Sequence, residues 1–283
     1  IAALAIGSVP IALAALAKDV HAQGTLPPDI KGVLDFALAL EIFENEFYKA
    51  VLGTSDSIAQ NAAFAPVRAL AAAVPGAVNT LQQIQKHEAS HVATLLASGA
   101  TNVFNLTIAS FDFTGNRSAT GGGPFAKATT DLPFLLEVAQ GAEDTGVRAY
   151  KGQAPNLQSN TVVLEAALRI HSVEARHAAK IRRLRRQNGA PATVRFSGTV
   201  SGSGAPAAGA GNITSPPAAV IAAFDLIYAN EGNTTHAGVN VTTLPNLPAG
   251  IDVAAAAGEA FDEPLTKDQV RTIVQPFFKP LIP

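Results

Sequence analysis

Two tetrapeptides, Glu88-Ala89-Ser90-His91 and Glu174-Ala175-Arg176-His177, decide the fold of this 283-residue chain. Each lies within a long stretch of strong helix-forming residues. Because residues i and i+3 lie on one face of an α-helix, each tetrapeptide puts a carboxylate beside an imidazole. A single Glu-x-x-His sequence is more often a solvated surface pair, so the pattern gains meaning only from partners elsewhere in the chain.

Two further helical segments supply those partners. Glu41 is followed seven residues later by Tyr48, and Glu143 is followed seven residues later by Tyr150. Each half of the chain therefore has a Glu-x6-Tyr helix followed by a Glu-x-x-His helix. Four carboxylates and two imidazoles on four helices are the ligand set of a carboxylate-bridged two-metal site in a helical bundle. Without metal ions or protons, such carboxylates would be prohibitively costly to bury.

The sequence thus predicts a metal centre with no catalytic residue beyond the ligands. Each Glu-x-x-His helix would provide one bridging Glu and one terminal His, and each other helix one Glu. The predicted ligands are Glu41, Glu88, His91, Glu143, Glu174 and His177. Hard carboxylate oxygens and imidazoles suit two iron or two manganese ions, and the pattern does not choose between them.

Other polar side chains near the motifs have supporting or solvent-facing roles in this prediction. Tyr48 and Tyr150 lie two turns beyond Glu41 and Glu143 and could hydrogen-bond ligating groups. His171, one turn before Glu174, could join the site or gate proton access.

Three charged features are expected to face solvent instead. Glu44, one turn from Glu41, is an alternative extra ligand, although a solvent-facing position is favoured. Asp144 is expected to cap a helix or face solvent. The basic run 180–186 is expected to be a solvated helix end, where cations meet the helix dipole favourably.

The hydrophobic pattern predicts a mainly α fold, with a four-helix bundle over residues 29–190. Amphipathic helices are expected at about Ile30–Leu52, Val78–Ala97, Leu132–Lys151 and Asn160–Arg186. Turn residues in 100–130 predict a long crossover between two helical hairpins. Residues 191–283 predict an irregular C-terminal extension, with a strand at Thr193–Val200 and short helices near Pro217–Asn230 and Thr266–Phe278. We expect this extension to pack on the bundle or on a neighbouring subunit.

Composition limits the partners of the chain. Its residues are 48% hydrophobic and only 15% charged, and a net charge of −2 does not favour nucleic acid. Cysteine is absent, which excludes disulfides and thiol chemistry.

Residues 1–28 form a separate apolar segment. Residues 1–17 resemble the apolar part of an export signal, or a retained anchor for a membrane or for self-association. We therefore expect an extracytoplasmic protein (secreted, periplasmic or on the cell surface) that forms a homo-oligomer.

The quoted residues resemble the ferritin-like superfamily. The segments 38–48, 88–91, 143–150 and 173–177, and more loosely 259–266, are similar to its exported branch. That branch includes plant desiccation-related proteins and many bacterial ferritin-like domain proteins. The resemblance covers residues 29–190 well and implies a four-helix bundle with a di-iron or di-manganese centre.

Two functions follow as expectations. In the first, an exported ferritin-like protein oxidises Fe(II) while consuming O₂ or peroxide, as a ferroxidase- or peroxidase-type oxidoreductase in stress protection. In the second, the bundle is a structural scaffold for an oligomer, filament or surface layer, with a structural or vestigial metal site. Low charge, abundant alanine and the apolar N-terminus favour the second view.

Overall fold

The computed structural model describes residues 26–117, 122–189 and 217–282. Within these ranges the fold is mainly helical, as predicted. The described residues of the first two-thirds of the chain form six α-helices, of which four are long. In chain order they are α1 (Pro28–Leu52), α2 (Ile58–Ala63), α3 (Ala65–Ala72), α4 (Ala77–Ala97), α5 (Leu132–Gln153) and α6 (Thr161–Gln187).

The four long helices form two hairpins, which confirms the predicted four-helix bundle. Helix α1 packs along α4, and α5 packs along α6, with further contacts between the hairpins. The connection from α4 to α5 contains only short 3₁₀ turns, at Ile108–Ser110 and Ala126–Thr129, among its described residues. It runs back along the bundle, so that α4 and α5 start at the same end.

Local sequence explains where the long helices begin and end. Pro28 occupies the first turn of α1, where its missing N–H group is not needed, and Gly53 ends that helix in the left-handed conformation. The carboxylate of Asp131 accepts a hydrogen bond from the Phe134 N–H at 2.9 Å. The Asn160 side chain does the same for the Val163 N–H at 3.1 Å. These side chains satisfy backbone donors that have no partner within the helix.

The bundle core is apolar at both ends and polar in the middle. One apolar cluster joins the start of α1 to the end of α4, and includes Ile30, Leu34 and Leu95. A larger cluster at the opposite end includes Phe47 and Leu81. The predicted metal ligands lie between the two clusters, so both ends of the bundle shield them from water.

The C-terminal extension packs on the bundle. Its described part contains helices α7 (Ala218–Ile227), α8 (Val253–Ala260) and α9 (Lys267–Val274), and a small hairpin of β1 (Thr235–His236) and β2 (Val239–Asn240). Phe278 pairs with Phe111 of the crossover through a β-bridge. The wholly buried Arg148 of α5 forms an ion pair with Glu231 of the extension.

Two sequence predictions lie outside the described residues: the role of residues 1–17, and the strand at Thr193–Val200. Within the described ranges, no helix is both long enough and apolar enough to cross a membrane.

Candidate metal centre

The middle of the bundle contains a buried cluster of carboxylates and imidazoles, to which every long helix contributes. All six predicted ligands are buried, and the most accessible, His91, is 6% exposed. Their helix positions explain the convergence, because each Glu-x-x-His pair projects from one helix face toward the bundle axis. The cluster consists of Glu41 from α1, Glu88 and His91 from α4, Glu143 from α5, and Glu174 and His177 from α6.

The cluster divides into two overlapping groups. In each group, one ligand atom per residue lies within 4.8 Å of the others. Glu88 and Glu174 belong to both groups, as the bridging carboxylates of a two-metal site would. Glu41 and His91 complete the first group, and Glu143 and His177 complete the second.

Both histidines point their Nδ1 atoms at the carboxylates. The Nδ1 of His91 lies 2.9 Å from Glu88 Oε2 and 3.1 Å from Glu41 Oε2. The Nδ1 of His177 lies 2.8 Å from Glu88 Oε1 and 3.1 Å from Glu143 Oε2. Each imidazole therefore presents one nitrogen to the interior of the cluster.

The two predicted tyrosines support the glutamates, but in a crossed arrangement. The Tyr150 hydroxyl donates to Glu41 Oε1 at 2.5 Å. The Tyr48 hydroxyl donates to Glu143 Oε1. Each tyrosine thus holds the glutamate of the other half of the chain. The crossing arises because α1 and α5 run antiparallel. A tyrosine two turns beyond the glutamate of its own helix therefore lies level with the glutamate of the other helix.

Burial and mutual repulsion perturb the acids of the cluster. Burial, followed by repulsion from Glu143 and Glu41, raises the pKa of Glu88 to about 7, although the neighbouring imidazoles of His177 and His91 oppose the change. Burial also raises the pKa of Glu174, with repulsion from Glu88 adding to it. For Glu41, burial acts upward, but the charge and hydrogen bonding of His91 leave its pKa lowered.

The surrounding carboxylates raise the pKa values of both histidines as well. Burial tends to lower the pKa of His177, yet Glu143 and Glu88 raise it to about 10. The same balance, with Glu41 as the main partner, raises the pKa of His91.

Several carboxylate oxygens of the cluster have no hydrogen-bond donor among the described residues. They are Glu88 Oε1 and both side-chain oxygens of Glu174, all buried. Glu174 Oε1 lies close to Nδ1 of His91, and Glu88 Oε1 lies close to Nδ1 of His177, but neither contact has hydrogen-bond geometry. Buried carboxylate oxygens without donors, in both bridging positions, fit a pair of cations better than a network of hydrogen bonds.

The structure places His171 away from the cluster. Its Nδ1 lies 3.0 Å from the carbonyl oxygen of Val147 instead. His87, which precedes the first motif, does contact a candidate ligand: its Nδ1 lies 2.8 Å from Nε2 of His177. His87 lies four residues before His91, on a neighbouring part of the same helix face. That spacing was the signal in the sequence that His87 lies near the ligands.

Two solvent-facing predictions were wrong. Glu44 is 5% exposed and projects inward, where burial and repulsion from Glu174 and Glu143 raise its pKa well above the usual value. Asp144 is 1% exposed and forms an ion pair with Arg182, while the Tyr228 hydroxyl of the extension donates to it.

The basic run 180–186 is also less solvated than predicted. Arg185 is 2% exposed and lies 3.0 Å from Glu137, and its Nη1 donates to the side-chain oxygen of Gln140 at 2.7 Å. These charged groups form a second buried network on the outer face of α5, beneath the extension.

Comparison with known proteins identifies the bundle. A family model described as a ferritin-like domain matches residues 29–187, more than half of the chain. Searches of curated proteins and of solved structures found no match.

Proposed function

The chain belongs to the ferritin-like domain family, and from that premise we propose that its buried cluster binds two metal ions, iron or manganese. We further propose that the protein oxidises Fe(II) with O₂ or peroxide, in an exported, stress-protective role. The observation that carries the proposal is the pair of overlapping ligand groups sharing Glu88 and Glu174.

The residues of the chain divide the work of holding the two ions. Glu88 and Glu174 would bridge them, Glu41 with His91 would bind one, and Glu143 with His177 the other. Tyr48 and Tyr150 orient the two non-bridging carboxylates through their hydrogen bonds. When bound, iron or manganese supplies the one-electron chemistry that amino-acid side chains lack. The apolar ends of the bundle exclude bulk water from the reacting groups.

Metal analysis of the purified full-length chain tests the proposal. The wild type is expected to bind about two ions per chain, as the two ligand groups require. Glu88→Ala and His177→Ala are expected to lose bound metal and Fe(II)-dependent O₂ or peroxide consumption. The matched control is Glu165→Ala, because Glu165 lies on α6 but pairs with Arg169 at the surface.

Two outcomes separate this proposal from the structural alternative. A wild-type protein that binds no metal and oxidises no Fe(II), yet assembles into oligomers or filaments, would favour the scaffold role. Homo-oligomer formation and self-association through residues 1–17 belong to that alternative, and sedimentation of the intact chain beside a variant lacking residues 1–23 tests them. An assembly that survives the deletion would exclude the N-terminal contact.

A further inference from the structure

A small apolar cavity adjoins the candidate metal centre. Its volume is about 40 Å³. The wall from the bundle and crossover includes Leu40, Phe43 and Phe113, and α5 contributes Val138, Gly141 and Gly146. Gly146 brings the cavity beside the cluster, because a Cβ atom added there would lie 3.1 Å from Glu174 Oε2.

The C-terminal extension closes the cavity. Helix α7 contributes Ala223, Phe224 and Ile227 to the wall, and helix α9 contributes Ile273 and Val274. The bundle alone would leave this side open. The extension therefore completes the cavity, in addition to stabilising α5.

Among the described residues, Glu44 is the sole ionisable side chain that lines the cavity. It is 5% exposed, and none of the hydrogen bonds found for the described residues involves its carboxyl group. It lies one helical turn from Glu41, and it is close enough to Glu174 and Glu143 for their negative charges to raise its pKa, in addition to the effect of burial. The other polar side chain on the wall, Thr145, already donates its hydroxyl proton to the Gly141 carbonyl oxygen at 2.6 Å.

The size and polarity of the cavity select its occupant. An apolar cavity of about 150 Å³ holds benzene, and a water molecule needs about 10–15 Å³ together with two to four polar partners. A cavity of about 40 Å³ with one carboxyl group therefore fits a diatomic molecule and disfavours water. Hydrogen peroxide carries two donors and several lone pairs, and most of them would remain unsatisfied there.

We infer that this cavity binds dioxygen and delivers it to the metal centre from the Glu44 side. The inference rests on the proposed function and names O₂, not peroxide, as the oxidant that the centre receives. In the balanced step, two Fe(II) ions each lose one electron, and one O₂ takes up those two electrons and two protons from solvent to leave as hydrogen peroxide.

Xenon binding to the metal-free protein tests the cavity independently of any iron chemistry. Xenon is expected to bind beside Phe224 and Val138, as seen by ¹²⁹Xe NMR or in crystals under xenon pressure. Ala223→Leu, which adds bulk to the wall from α7, is expected to abolish that binding. The matched control is Ala222→Leu, because Ala222 is the preceding residue of α7 and is exposed. Val138→Phe fills the cavity from α5 and serves if the first variant does not fold.

Oxidation kinetics then test delivery. Ala223→Leu is expected to slow Fe(II) oxidation by O₂ about tenfold or more, equivalent to about 1.4 kcal/mol in the barrier, while oxidation by added peroxide changes little. Equal slowing with both oxidants, or a wild type that binds no xenon, would overturn the inference. If xenon binds but the wild type oxidises no Fe(II) with either oxidant, the proposed function fails. Paramagnetic broadening of the NMR signals of cavity residues by dissolved O₂, measured on the metal-free protein, then still decides whether the cavity binds dioxygen.

Discussion

His87 is exposed on α4, yet it contacts the candidate ligand His177. The two rings are stacked with their centroids 5.1 Å apart, and Nδ1 of His87 lies 2.8 Å from Nε2 of His177. With a metal ion on Nδ1 of His177, the proton of the neutral ring would sit on Nε2 and would be donated to Nδ1 of His87. Ligating histidines commonly donate their second N–H to an acceptor, which fixes the ring orientation. His87 is therefore a positioning residue for one half of the centre.

Removing His87 is expected to weaken one metal ion selectively. His87→Ala should lower the affinity of the His177 half by about 10–100-fold, because the loss of such an acceptor typically has that effect. Calorimetric titration with Mn(II) would then show one ion bound with reduced affinity and one bound with unchanged affinity. Lys86→Ala is the control, since Lys86 is the exposed neighbour on α4. Equal weakening of both ions, or of neither, would contradict the positioning role.

Helix α5 is the element most closely enclosed by its neighbours. Two of its glycines leave no room for a side chain, because a Cβ atom on Gly141 would overlap the Phe224 ring. A Cβ atom on Gly152 would overlap the backbone carbonyl oxygen of Leu265, in the segment before α9. These glycines allow the extension to lie directly on α5, so small residues at these positions are a packing requirement.

A pair of matched substitutions tests this contact. Gly152→Ala is expected to lower the free energy of unfolding by about 1–3 kcal/mol, because the extension must move away from α5. In Gly32→Ala, on the exposed face of α1, the added Cβ atom meets no atom of the described residues within 4 Å, and the change is expected to raise the free energy of unfolding by about 0.5–1 kcal/mol. Urea denaturation of both variants measures the difference. A gain in stability of similar size in both variants would show that helix propensity, not packing, controls position 152.

The sequence could predict the elements of the bundle but not what covers them. The helix limits follow from Gly53, Asp131 and Asn160, whose effects are local. The six candidate ligands were predictable because their spacing repeats in both halves. Asp144 was not, since it lies about 100° around the helix from Glu143 and would face solvent in an isolated bundle. Arg182 of α6 and the extension, whose Tyr228 hydroxyl donates to Asp144, together make that face interior.

Glu44 escaped prediction for a related reason. Glu44 lies about 60° around α1 from Glu41, at the margin of the buried face, where charged residues of amphipathic helices commonly meet solvent. The crossover and the extension enclose that face through distant residues such as Phe113 and Ile273. Contacts this remote in sequence leave no periodic signal in α1. The crossed tyrosine–glutamate pairs are a second example, because the seven-residue spacing shows only that each tyrosine shares a face with the glutamate of its own helix, not which glutamate it contacts.

At the scale of the whole molecule, the centre concentrates acidic charge in the middle of the bundle. Four glutamates of the cluster face two histidines, and Glu44 adds a further acid nearby. In the metal-free protein, protons must supply part of the missing positive charge. The raised pKa values of Glu88 and His177 express that requirement, and they link folding to pH.

The sign of that link is the same for both residues. The native pKa of Glu88 is about 7 against an ordinary 4.5, so its contribution to stability is complete below 4.5 and is lost as the pH rises through 7. The native pKa of His177 is about 10 against an ordinary 6.5, so its contribution is lost between those values. Glu41 has a lowered pKa and acts oppositely, but only below its ordinary 4.5. Between pH 5 and 8, the metal-free protein should therefore lose stability.

Metal should reverse this trend, and the reversal can be measured. At about 1.4 kcal/mol per pKa unit, Glu88 alone should lower the free energy of unfolding of the metal-free protein by on the order of 3 kcal/mol between pH 5 and 8. Bound cations take the place of the protons, so the stabilisation by a fixed Mn(II) concentration should increase over the same range. Urea unfolding at several pH values, with chelator or with Mn(II), gives two curves that should diverge as the pH rises. In Glu88→Gln, the free energy of unfolding measured with chelator should change less with pH than in the wild type. In the surface control Glu165→Gln, it should change as much as in the wild type. Wild-type curves that run parallel with chelator and with Mn(II) would show that metal does not replace protons at this cluster.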